Sequence, residues 1–370
     1  MTKAAELAKM GEVLTNSQIG GRRNIVINGA MQVAQRATSA TGVGASEGYF
    51  TLDRFEVAPS TNGRATMSQS TDTPDGFSSS LKLDCTTADT SVAAGEFFIL
   101  RTCFEGQDLQ QFKKGTSSAE KVTVSFYVKG NASATYTCEL QDTDNSRQNS
   151  QTFAVTTSWN RIILTFVGDT TGAFDNDNAQ SLRLGFWLHG GTSYSGGTFA
   201  SNTWHTADNK RVGDGQTSFF DSTNRELFIT GLQMEVGSQA TPFEHRSFGE
   251  ELALCYRYYF KCGLATNTFM GGAGWARDNN TFHVSCPYPV TMRAAPSAVE
   301  TSGTPSHYEI NYRALSAAVS SGPNFDTANR FGGFVSGDVS GTPLTAGDSV
   351  RLVGSAGGGT GSFLAWSAEL

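Results

Sequence analysis

The sequence is short of charge. Only 16% of its 370 residues are Asp, Glu, Lys or Arg, against about 25% in an average soluble domain. With 27 basic and 34 acidic residues the formal net charge is −7, and the densest basic clusters are the pairs Arg22-Arg23 and Lys113-Lys114. A chain that tracks a phosphate backbone needs a basic stripe, so nucleic acid is excluded as a partner. No apolar run approaches the roughly 18 residues of a spanning helix. Residues 1–14 hold no apolar signal core. The chain is therefore expected to be made in a cytoplasm and not to enter a membrane by itself.

Catalytic and metal signatures are equally scarce. The six cysteines (85, 103, 138, 255, 262 and 286) form no C-x-x-C pair and have no histidine at zinc-ligand spacing. A chain this long needs no disulfide staples, so buried free thiols are expected. There is no phosphate-cradling G-x-x-x-x-G-K-[ST] and no H-E-x-x-H. The one G-x-S-x-G string, Gly44–Gly48 around Ser46, lacks the strand-to-helix setting of a nucleophile elbow and reads as a turn. The five histidines are scattered. Asp142-Thr-Asp144-Asn145 and Asp175-Asn-Asp177-Asn178 alternate oxygen ligands as calcium likes, but they lack the loop glycine and distal Glu of an EF-hand and read as turns. Asp221, Glu226 and Glu235 are available as paired carboxylates but undistinguished. These absences predict a protein that is not an enzyme and takes no cofactor and no metal.

What is abundant is glycine (41), phenylalanine (25) and uncharged polar residues, with only 9 prolines. Disordered chains are poor in aromatics, and helical ones lean on Glu, Lys, Leu and Ala. Short strands between Gly/Ser/Thr/Asn turns fit better. Thr2–Leu14 is the persuasive helix of the first half, with Leu7, Met10 and Leu14 spaced as in a heptad seam. Thr15–Arg23 reads as a linker. From Asn24 to about His245 some ten strand-like segments follow. The clearest is Lys121–Lys129, with Val122, Val124, Phe126 and Val128 on one face and Thr123, Ser125 and Tyr127 on the other, as in a strand with one solvated face. Phe248–Leu254 reads as a helix, Tyr256–Lys261 as a strand, and short strands continue to Phe363–Glu369. The fold class expected is all-β: a short N-terminal helix with linker over 1–23, a jelly-roll-like β-sandwich over 24–247, and a smaller C-terminal β-domain over 248–370.

Aromatic rings in polar loops are the most informative functional signal. Sugars lay C–H faces on aromatic rings while Asn, Asp and Gln supply hydrogen bonds. In the C-terminal part, Trp275, Arg277, Asp278, Tyr308, Tyr312, Phe325 and Phe331 are candidates for a glycan- or receptor-binding surface. Tyr194, Trp204 and His205 form a secondary group.

Several segments together resemble tail-fibre or receptor-binding proteins of tailed bacteriophages, cyanophage-type ones among them. Gly20–Thr38 with Gly48–Phe55 resembles the start of such fibres, and Lys121–Gly130 with Ser158–Gly168 resembles strands of their carbohydrate-binding-module-like jelly roll. The most characteristic run is Ile229–Lys261, with its acidic pair before a Cys-x-Arg-Tyr-Tyr strand. Pro289–Pro296 and Leu364–Leu370 add to it; residues 304–360 match least. The resemblance implies a homotrimeric structural protein of the virion tail. It would attach to tail adaptor or nozzle proteins through the helix carrying Leu7, Met10 and Leu14. Its C-terminal region would bind a host cell-surface glycan or outer-membrane receptor. Alternatives in the same frame are a capsid or neck decoration protein and a tailspike polysaccharide depolymerase, although the long repeat of the latter is missing.

Overall fold

A computed structural model describes Lys3 and residues 23–263, 270–355 and 361–370. Leu7, Met10 and Leu14, expected on an attachment helix, lie outside the described residues. The chain is mostly β and divides into two compact units, one ending at Phe248 and the other spanning Gly249–Glu369. Among the described residues no helix is long and apolar enough to cross a membrane.

The first unit is a sandwich of two six-stranded antiparallel sheets. One sheet sets Ser39–Val43, Arg64–Ser70, Ser80–Thr87, Glu226–Val236, Val122–Gly130 and Asn160–Phe166 side by side. The other runs Gly48–Tyr49, Glu56–Ser60, Phe97–Glu105, Gln180–Gly190, Ala134–Asp142 and Arg147–Val155. Alternation aims one side of each strand inward. Met67, Leu83, Val124, Phe126 and Ile229 of the first sheet thus share a core with Phe98, Leu100, Tyr136, Leu140 and Phe186 of the second. Phe126 links the sheets edge-on, with centroids 5.1 Å from Phe153 and 4.9 Å from Phe186.

Two local expectations are corrected. Thr123 and Ser125 were expected to meet solvent but are 0% and 2% exposed. The chain beyond Val236 folds over them: the Thr123 hydroxyl donates to Gly237 O at 2.8 Å, and Arg161 reaches both Ser125 and Thr241 O. The apolar run at Ile25–Ile27 is buried but is not a strand. Asn28 sits at φ 60°, a conformation Asn tolerates. Its amide donates to Val33 O and Asp53 O while accepting from Val33 N, so the side chain takes the place of a ladder.

In the second unit the helix runs Phe248–Tyr256 and the strand begins later than expected, at Tyr259–Cys262. Cys255 is buried within the helix, and Tyr258 N donates to Cys255 O to close the turn. The strand pairs with Leu364–Ser367, which pairs in turn with Glu300–Thr301. The remaining strands close into a barrel in the order Gly274–Ala276, Thr281–Pro287, Gly332–Val339, Leu315–Ala328, Tyr308–Tyr312 and Ser349–Gly354. Phe282, Val284, Tyr308, Ile310, Val335 and Leu352 fill its interior. Closure removes the open edges that would otherwise invite pairing with other chains.

Candidate functional site

Strand alternation on the barrel decides which aromatic rings reach solvent. Gly274 and Ala276 point inward, so Trp275 points out and is 44% exposed. It pairs in register with His283, whose neighbours Phe282 and Val284 are both fully buried. The Trp275 and His283 rings therefore stack, with centroids 5.2 Å apart and planes 10° apart. Phe334, two residues along the adjacent strand, meets Trp275 edge-on at 6.0 Å. His283 Nδ1 lies 3.1 Å from Asp326 Oδ2, which fixes the imidazole. The result is an aromatic platform with a carboxylate at its rim.

The next strand extends this surface on the other side. Trp275 pairs with Ser349, and Arg351 lies across from Asn311. Ser349, Arg351, Asn311, Glu309 and Arg313 line an open polar cleft of about 580 Å³. Arg313 Nε donates to Asp348 Oδ1 at 2.7 Å. An exposed indole beside a cleft of amide, carboxylate and guanidinium groups can stack on an apolar ring face while hydrogen-bonding hydroxyls around it.

The other C-terminal candidates fall elsewhere. Tyr308 and Tyr312 are 0% and 7% exposed and belong to the barrel core. In a strand, residues 308, 310 and 312 share one face, and here that face is inward. Tyr308 accepts from Ser302 N and donates to Phe363 O, so neither ring is available for stacking. The Asp278 carboxylate is engaged by Asn280 N and Thr281 N, which hold it well below the usual carboxylate range, at about 2. It fastens the Trp275 hairpin rather than facing a ligand. Arg277 is exposed beside it, 3.3 Å from an Asp278 oxygen. Phe325 is half-buried and pairs with Val335 next to Asp326. Phe331 is 69% exposed at the far end of the Thr281–Pro287 strand, where its carbonyl accepts from Tyr288 N.

The secondary group is absorbed by the sandwich. Residues 191–217 cross the outer face of the second sheet. Tyr194 packs on Trp187 at 4.9 Å and on Phe97 at 5.6 Å. Beneath it the Glu139 carboxylate accepts from Trp187 Nε1 at 3.0 Å and from Arg211 Nε and Nη2 at 2.8 and 2.7 Å. Burial alone would lower the Arg211 pKa, but the Glu139 carboxylate outweighs it and raises it above the ordinary value. Trp204 Nε1 donates to Val167 O at 2.7 Å, and His205 forms a bridge with Gln148. These rings seal a loop onto the sheet.

The carboxylates singled out from sequence are likewise committed. The Lys114 ammonium lies 2.6 Å from Asp142 and 3.2 Å from Asp169 and donates to Thr171 O and Gly172 O, so a lysine supplies the cation in that oxygen-rich pocket. Asp177 accepts from Ala179 N and Asp144 from Asp175 N, as turn residues do. Asp221 pairs with Arg225 and Glu226 with Lys82, while Glu235 accepts from Gln233 and Thr241. Ser46 lies in an exposed turn. Sequence reasoning passed over His283 and Asp326. The outward alternation of Thr281, His283 and Ser285 was the signal for the first, whereas Asp326 lies in a strand with irregular register.

No protein-family model matches the chain, and no curated protein matches it. Solved structures similar to it include a CBM4 module at 9% identity, covering 56% of this chain and 97% of that one, with a TM-score of 0.29. The enzymatically active domain of tailspike protein 4 of bacteriophage CBA120 is similar at 13% identity, covering 58% of this chain and 21% of that one, with a TM-score of 0.29. The CBM22-1–CBM22-2 tandem of Paenibacillus barcinonensis Xyn10C is similar at 10% identity over 95% of this chain and 98% of that one, with a TM-score of 0.28.

Proposed function

We propose that this chain is a glycan-binding structural protein of a phage virion, a tail fibre whose C-terminal unit contacts a host cell-surface polysaccharide. The observation that carries the reading is the Trp275 platform: an indole left 44% exposed, braced by His283 and Phe334 and bordered by a polar cleft. The resemblance of Ile229–Lys261 and the other segments to tail fibres supplies the virion context, with docking through residues 1–23 and a homotrimeric assembly. Three copies of a weak sugar site would gain avidity by engaging one surface together. Binding is favoured over cleavage because Asp221, Glu226 and Glu235, the carboxylates available for a hydrolytic pair, are engaged in ion pairs and loop contacts.

The test uses the full chain and surface polysaccharide extracted from the host of particles that carry it. Light scattering is expected to give a three-chain mass, and calorimetry a saturable heat with the polysaccharide. A monomer, or no binding, overturns the reading. Release of reducing ends would establish the depolymerase instead.

A further inference from the structure

Three ligand-type side chains converge in the first unit, two from one connecting loop and the third from a strand far along the chain. His189 lies near the end of strand Gln180–Gly190 and pairs with Phe98, Glu96 precedes strand Phe97–Glu105, and Asp89 follows strand Ser80–Thr87. Backbone bonds tie both ends of the loop down: Gly191 N donates to Glu96 O, and Asp89 N to Phe220 O, each at 2.8 Å. One ligand atom from each of Asp89, Glu96 and His189 lies within 4.8 Å of the other two. All three residues are buried, at 6%, 9% and 0% exposed.

One ring nitrogen of the imidazole has no partner within hydrogen-bond distance. His189 Nδ1 is 2.8 Å from Ser218 Oγ, which also accepts from Phe220 N. Nε2 is buried, has no hydrogen-bond partner, and is aimed at the acids, 3.7 Å from Glu96 Oε2. The carboxylates are held from behind. Thr61 Oγ1 and Asn62 N donate to Asp89 Oδ2 at 2.7 and 2.9 Å, and Ala93 N donates to Glu96 Oε2 at 2.7 Å. In the tautomer whose Nδ1–H donates to Ser218, Nε2 turns a lone pair toward the two carboxylates, and a cation between them would relieve that arrangement.

The geometry points to a divalent-cation site formed by His189 Nε2 and the carboxylates of Asp89 and Glu96. One imidazole with two carboxylates is a donor set for zinc rather than calcium, which takes oxygen alone. Ligand atoms about 2.1 Å from a tetrahedral ion are about 3.4 Å apart, so the observed spacing needs only small side-chain movements. The backbone and hydroxyl donors behind Asp89 and Glu96, and Ser218 behind His189, are the outer groups that orient such ligands. The ion would clamp both ends of the loop between Thr87 and Phe97 to the end of the His189 strand.

Chelator-stripped full-length protein, dialysed against zinc chloride and analysed by mass spectrometry, is expected to retain one zinc per chain and to melt several degrees higher than the stripped form. His189→Gln and the double change Asp89→Asn, Glu96→Gln should each abolish retention. To keep the test independent of variant folding, the unmodified protein is also labelled with ¹⁵N-histidine, of which there are five. Zinc should then shift the His189 ring signals alone. No retained zinc, retention that survives His189→Gln, or a His189 ring that is doubly protonated at neutral pH and indifferent to zinc would each overturn the site in favour of a plain ion-paired imidazolium.

Discussion

Trp275 lies flat against His283, with planes 10° apart and centroids separated by 5.2 Å. Because Asp326 holds the imidazole, the exposed indole is set in place before any ligand arrives, which lowers the ordering cost of binding. Trp275→Ala is expected to weaken polysaccharide binding at least tenfold, about 1.4 kcal/mol, with an unchanged melting temperature. Tyr308→Phe should do the reverse, sparing affinity and costing about 1 kcal/mol of stability through its lost hydrogen bonds. Calorimetry and thermal melts separate the two.

Arg211 and Glu139 form a buried pair, with side chains 10% and 3% exposed. Removing one partner strands the other charge. Arg211→Ala is expected to cost about 3–5 kcal/mol and to free residues 191–217 from the sheet. Denaturant unfolding gives the energy, and faster amide exchange confined to that loop gives the location.

Acid should loosen the first unit through Asp169. Burial pushes its pKa up, but hydrogen bonds from Arg147 and Thr171 N and the charge of Lys114 outweigh that and hold it below the ordinary 3.8. A depressed carboxylate stabilises fully above its unfolded value and loses that contribution as pH falls through the folded one. Stability measured in urea should therefore decline below about pH 4, and Asp169→Asn should flatten that slope while lowering the plateau.

The thiols should be silent in the native state. None of the six is in a disulfide, and five are buried. Burial pushes Cys85, Cys103 and Cys262 up to about 11 and raises Cys138 and Cys286 further. At pH 8 a thiol-disulfide reagent is expected to react slowly with folded protein and to count six thiols once it is denatured. Rapid native reaction would contradict the packing.

Much of the architecture was legible because alternation survives in the sequence: Val122 to Val128 reads directly as a core-facing strand. The hidden parts have physical causes. The burial of Thr123 and Ser125 depends on a segment more than a hundred positions away. Leu315–Ala328 is a long strand more than half Ser, Ala, Gly and Asn, with repeated register shifts, so neither propensity nor period marks it. Tyr308 and Tyr312 read as surface rings by their polar surroundings, although the intervening Ile310 signals an inward face. Trp275 was identifiable because an indole in a polar loop is conspicuous. The Asp89, Glu96 and His189 cluster is hard to read from sequence, since its histidine comes from a strand about ninety positions beyond the loop that carries both acids.

The strand Leu364–Ser367 lies between Tyr259–Cys262 and Glu300–Thr301, so each neighbour waits for a partner encoded far downstream. During synthesis the Tyr259 strand emerges from the ribosome roughly a hundred codons before the segment that completes its sheet. Long-range pairing of this kind is slow to form, and the exposed Tyr259–Cys262 edge is meanwhile a natural client for a holding chaperone or a sister chain.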